Sequence, residues 1–248
     1  MKRATRVEAL LAISLALIAS LQGSPAQSAA PSTTQVWLPL VMVVRPAANP
    51  VHYGEATYYY ATGGGACSFD PSPDDILVAA MNGAEYDDAA WCGAYVNVTG
   101  PQGTVTVRIV DLCPGCKAGD LDLSEEAFAQ IANLAQGRVP ISWQVVSPDL
   151  SGPIAYHFHS GSNQWWTAVQ IRNHRNPVAN LEFRQADGTW VTVPRTSWNY
   201  FVQTGPGMGL GPFTLRVTDH YGNVLTDSGI VPVPGGSVDG SGQFPAGP

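Results

Sequence analysis

Between Gly54 and Ile230 only one stretch carries helical period, and the other apolar runs are short, alternating and closed by Gly, Pro, Asn or Asp. In Ser124 to Gln136, Phe128, Ile131, Ala132 and Ala135 fall on one face, Glu125 and Glu126 fill the first turn, and Gly137 ends the run. The rest reads as strand. From Gly54 to Val146 the runs ATYYY, ILVAA, AYVNV, TVTVRIV and ISWQVV predict, with that helix, a β-barrel of about 95 residues. Beyond the polar link SPDLSG, the runs IAYHFHS, WWTAVQIRN, ANLEFRQ, TWVTV, YFVQT, FTLRVTD and VLTDSGI predict an antiparallel sandwich of about 80 residues. With 26 Gly, 20 Pro and only 12% charged residues, the composition is that of turns and short strands. The fold class expected is mostly all-β.

Lys2, Arg3 and Arg6 precede an uncharged run of 13 residues, Ala9 to Leu21, and then small residues around Ser24 to Ala30. That is the layout of a secretory signal peptide, since a bilayer span needs roughly 20 apolar residues. The expected map is a signal peptide over 1–30, a leader over 31–51, a barrel over 52–147, a sandwich over 148–232 and a flexible tail over 233–248. Pro39 keeps the leader out of any central strand. The mature chain is expected to be extracellular, monomeric and, after cleavage, without a membrane partner. Removing 1–30 leaves nine basic and eighteen acidic residues, a net charge of −9. Such an acidic body argues against nucleic acid and anionic wall polymers as partners.

Cys67, Cys92, Cys113 and Cys116 follow a signal peptide and so predict disulfides. Four cysteines allow three pairings, of which Cys67–Cys92 with Cys113–Cys116 is the one expected. Chain entropy assigns about 3.5 kcal/mol to the longer loop and about 2 kcal/mol to the shorter. The rival reading is a zinc site built on the CxxC. It lacks a second ligand pair of the usual spacing, so neither metal nor other cofactor is expected.

The stretch IVDLCPGCKAGDLDLS, 109–124, carries Asp111 at the end of a strand and Asp122 at the start of the helix, with a stiff loop between. The plain reading is a strand end and a helix start capped through Ser124; the functional one is two carboxylates at one cleft edge. Cleaving a glycoside needs such a pair, one acid to protonate the leaving oxygen and one to attack or activate water. Asp70, Asp74, Asp75, Asp87 and Asp88 read as solvated loop residues. In the second body Trp165, Trp166 and Trp198 exceed what a core already holding Phe158, Phe183, Trp190, Phe201 and Phe213 requires. Indole faces stack on the apolar faces of sugars, yet the pattern expects at least one of these three in the core. Adjacent strand residues face opposite ways, so Trp165 and Trp166 are exposed together only at a strand start or bulge. His157 and His159 share a strand face and read as exposed polar positions. Phosphate-binding loops and nucleophile elbows are missing from the sequence.

GEATYYY at 54–60, AYVNVTGPQGTVTVRIVDLCPGC at 94–116, GDLDLSEEAF at 119–128 and ISWQVV at 141–146 resemble the first domain of the bacterial expansins, small secreted proteins that loosen plant cell walls. SNQWWTAVQIRNHRNPV at 162–178 and SWNYFVQT at 197–204 resemble their second domain. Gln243-Phe244-Pro245 is similar to the end of some members. The resemblance implies a six-stranded double-psi β-barrel with one short helix, followed by an immunoglobulin-like carbohydrate-binding sandwich. It also implies binding to cellulose, related β-glucans or hemicellulose, and wall loosening without hydrolysis. By position, Asp122 matches the family's essential acid, Asp111 and Thr57 its groove partners, and Trp165, Trp166 and Trp198 its aromatic platform. Three departures stand out: Cys113 where some relatives carry an aromatic, an acidic balance, and HFHS at 157–160 in place of the plant HFD motif. Two rival functions are a glycoside hydrolase or lytic transglycosylase with Asp122 as general acid, and a non-catalytic wall-adhesion module.

Overall fold

Six strands, β1 (His52–Tyr59), β2 (Val78–Asn82), β3 (Tyr95–Gly100), β4 (Gly103–Cys113), β5 (Leu121–Ser124) and β6 (Val139–Val146), close a barrel. The order around it is β1–β5–β2–β4–β3–β6. The computed structural model describes residues 49–248, all within one compact unit. The expected signal peptide and nearly all of the leader lie outside the described residues. Strands β1 and β5 run parallel, as do β2 and β4, and the remaining neighbours are antiparallel, the double-psi arrangement. Alternation does the work in β6, where Val139, Ile141, Trp143 and Val145 point inward and the residues between them outward. All of β2 is buried, and two of its five residues are alanines, which leave room for neighbours on both faces.

Two short helices complete the barrel, α1 (Gly83–Tyr86) and α2 (Glu125–Ile131). Ser124 caps α2 as expected, its hydroxyl accepting from the Ala127 N–H at 3.2 Å. The helix stops at Ile131 rather than Gln136. Ala132 turns extended, and Asn133 captures the Ala135 N–H to start a separate 3-10 turn over Leu134–Gln136, which Gly137 closes. Ala135, placed by period on the inner face, is therefore exposed.

The second body holds β7 (Ala155–Phe158), β8 (Thr167–Arg172), β9 (Val178–Arg184), β10 (Trp190–Val193), β11 (Phe201–Gln203), β12 (Phe213–Asp219), β13 (Val224–Ile230) and β14 (Ser237–Asp239). They form two four-stranded sheets, β11–β8–β7–β14 and β10–β9–β12–β13. Tyr156, Phe158, Val169 and Ile171 of the first share one buried cluster with Leu181, Phe183, Leu215 and Val217 of the second. The segment expected to be a flexible tail is instead built in. Its strand β14 pairs with β7, Phe244 is 1% exposed inside the cluster, and the Asn176 side chain donates to the Pro245 carbonyl. An open strand edge and one large apolar ring outweigh the Pro/Gly composition. Phe244→Ala is expected to cost about 3–5 kcal/mol in a denaturant titration, whereas a free tail would cost nothing.

His174 is buried between the two bodies, against Gly93 of the barrel, with its Nδ1 2.8 Å from the Asn176 carbonyl. Burial, reinforced by Arg195, Arg108 and His220, pushes its pKa down to about 4 against the pull of that carbonyl. The unfolded chain therefore binds a proton that the fold refuses. Stability is complete above the ordinary histidine range and falls as pH drops from about 6.5 toward 4, by about 3 kcal/mol. Denaturation midpoints at pH 7 and pH 4 measure it, and His174→Gln is expected to remove that part of the slope.

Candidate functional site

Register across four barrel strands gathers the acids that the sequence sets apart. Thr57 on β1 pairs with Asp122 on β5, Asp122 pairs with Ala80 on β2, and Ala80 pairs with Asp111 on β4. The four residues form one rung, so their side chains share a face, and the two aspartates flank the smallest side chain available short of glycine. Asp122 thus lies within a strand rather than at a helix start, and Asp111 lies two residues before the end of β4.

The Thr57 hydroxyl donates to Asp122 Oδ1 at 2.5 Å. Burial raises the Asp122 pKa, and Asp111 adds to that, against the opposing pulls of Thr57 and Arg138. Asp111 is held differently. Its Oδ1 accepts from the Ala66 N–H at 2.7 Å and from the Leu112 N–H at 2.8 Å. A Cβ on Gly65 would come within 2.3 Å of the Asp111 carboxyl carbon, so the loop at 63–66 needs glycine there to cross the carboxylate. The Tyr59 hydroxyl is buried without a partner among the described residues, and burial with both aspartates drives its ionisation far upward. The rung therefore presents one carboxyl with a raised pKa and one tied to backbone, while the Tyr59 phenol lies buried two residues along β1. The rung can donate to and accept from sugar hydroxyls, and Asp122 can give a proton.

The disulfides are Cys67–Cys92, buried, and Cys113–Cys116, half-buried, the pairing expected. Both bridges consume the thiols a zinc site would need. Cys113 lies on β4 two residues past Asp111, on the same strand face.

On the second body, Trp165 is 64% exposed and Trp166 and Trp198 are half-buried, so the expectation of a core tryptophan among the three is overturned. The reason is a turn before β8. The Asn163 side-chain oxygen accepts from both the Trp165 and Trp166 N–H groups, and Asn163 bridges back to Trp166. The strand proper begins only at Thr167, so neither indole is committed to the core. His159, read as an exposed polar position, is half-buried and meets Trp166, Trp198 and Tyr200 edge-on, with centroids 5.5, 5.8 and 5.6 Å away. Trp198 and Tyr200 lie 4.7 Å apart. The sequence did not single out Tyr200 and His159 for this surface; for His159 the one signal was the alternation that puts it on one face with His157.

Comparison with known proteins agrees with this geometry. Residues 53–143 match a protein-family model described as lytic transglycolase. The chain is 39% identical to Expansin-YoaJ of Bacillus subtilis over 188 residues, 73% of this chain and 78% of that protein. A Clavibacter michiganensis expansin crystal structure superposes with a TM-score of 0.73 at 36% identity, covering 78% of this chain and 98% of that one. A variant of the Clavibacter expansin, solved in complex with cellohexaose, gives the same TM-score of 0.73 at 35% identity. With the rung, the capped helix and the tryptophan turn in place, these relationships make the chain a member of the expansin family.

Proposed function

We propose that this protein is secreted by its signal peptide, binds cellulose or a related β-glucan or hemicellulose, and loosens it without hydrolysis. Trp165, Trp166 and Trp198 form the stacking surface, on a second body read as an immunoglobulin-like carbohydrate-binding sandwich. In the barrel, Asp122, steadied by Thr57 and faced by Asp111, exchanges hydrogen bonds with glucan hydroxyls, so that chains slip past one another without bond cleavage. The observation that carries the reading is the tryptophan turn: it holds indole rings outside a core that is complete without them. A relative solved with cellohexaose supports the same ligand class. The test exposes cellulose paper strips and soluble glucans to the protein and follows strip strength and new reducing ends together. Weakening without reducing ends is expected.

Two observations favour a second reading, lytic cleavage with Asp122 as the proton donor. The barrel matches the lytic transglycolase description, and the Asp122 carboxyl is raised, as a general acid's must be. A transglycosylase needs only one acid, so the tie on Asp111 does not exclude it. Products that accumulate with time and vanish in Asp122→Ala would establish that reading and overturn the first.

A further inference from the structure

The barrel rung and the tryptophan surface are joined by a short strap of hydrogen bonds centred on Cys67. The Ala66 N–H holds Asp111 Oδ1, and the next N–H, that of Cys67, donates to the carbonyl of Val110, immediately before Asp111. The Cys67 carbonyl then accepts twice from the second body, from Gln170 Nε2 at 2.9 Å and from Asn199 Nδ2 at 3.2 Å. Gln170 also reaches the Ser68 carbonyl, and its own oxygen is held by Arg172, which pairs with Asp70 on the same loop. Both clamps are buried, Gln170 completely and Asn199 at 4%. Asn199 follows Trp198 in the chain, and the Ser197 carbonyl just before that tryptophan accepts from Tyr86 of the barrel at 3.2 Å.

A buried amide that spends its donors on another body's backbone carbonyls fixes distance and angle together, because each lost bond leaves a polar group unsatisfied. We infer that Gln170 and Asn199 are positioning residues that couple the Asp111 side of the rung to the Trp198 side of the platform, so that a neutral β-glucan bound at one is sensed at the other. The inference rests on the reading of these two places as glucan contacts. Linkage then requires that a change at Asp111 alter the affinity at the platform through the strap.

The full chain supplies the test. Cellohexaose is titrated by tryptophan fluorescence into the native protein and into Asn199→Gly and Gln170→Met, each with and without Asp111→Ala. Asn199 has φ +63°, so glycine keeps the backbone conformation while the clamp is removed. Asp111→Ala is expected to weaken cellohexaose about five-fold in the native background and by less than about two-fold once either clamp is gone. Melting midpoints are recorded alongside; a merely structural clamp would lower the midpoint and leave the Asp111→Ala factor unchanged. An equal factor in native and clamp-free backgrounds, or no effect of Asp111→Ala in either, overturns the strap while leaving the platform standing. No fluorescence response in the native protein overturns the platform and the strap with it.

Discussion

Asp122→Ala is expected to reduce the weakening of cellulose strips by more than about ten-fold while leaving cellulose binding unchanged and the fold intact. A charge-assisted hydrogen bond is worth about 1.5–3 kcal/mol, and losing it where the glucan is engaged corresponds to about ten- to a hundred-fold. The separation of effects follows from the wiring: Asp122 bonds Thr57 and lies off the strap, which reaches the second body through Asp111, Ala66 and Cys67. Stability moves the other way. A carboxyl whose pKa is raised in the fold opposes folding above its ordinary range, so its removal is expected to leave the melting midpoint unchanged or slightly higher at neutral pH. Asp122→Asn keeps an acceptor for Thr57 and removes the charge. Strip tests, depletion binding and melting on the two variants check the three statements. Unaltered strip weakening in both would leave the barrel as a scaffold and make the chain a wall-adhesion module.

The legible part of this fold was the part written in local pattern. Five of the six barrel strands and seven of the eight strands beyond it stand out as short apolar or alternating runs between turn residues, and the Ser124 cap is announced by the acids that follow it. Most of what local pattern missed depends on distant partners. Strand β5 has four residues between a loop and a helix; it is a strand because β1 and β2 lie on either side of it. The early end of α2 is a local event decided by Asn133, whose side chain competes for backbone donors in a way a periodicity count does not weigh. Phe244 was hidden inside a composition that usually means disorder.

The candidate site divides in the same way. Asp111 and Asp122 were conspicuous as two acids around a Pro-Gly-Cys turn, but their union with Thr57 spans 65 residues and was implied by resemblance, not by spacing. Nothing in the sequence says that Ala80 lies between them. Turn chemistry explains the tryptophans: Asn163 satisfies two successive N–H groups, releasing a Trp-Trp pair from the alternation that would have buried one ring.

Removing that pair should produce the largest change in affinity. If each exposed indole covers about 100 Å² of apolar surface on a sugar, two rings contribute about 5 kcal/mol gross. Ordering the partner takes back part of this, so Trp165→Ala with Trp166→Ala is expected to weaken cellulose binding at least about a hundred-fold. Trp165→Ala alone isolates binding from folding: its ring is 64% exposed, so the expected loss is about ten-fold in affinity with a melting midpoint shifted by less than about 2 °C. Trp198→Ala is expected to disturb more, because Trp198 packs on Tyr200 and on the His159 edge. Depletion isotherms on microcrystalline cellulose, run beside thermal melts, separate the two effects. Full binding by the double variant would move the primary grip to the barrel rung. Lost binding with strip weakening retained at saturating protein would show that the tryptophans concentrate the barrel on its substrate and take no part in the loosening step.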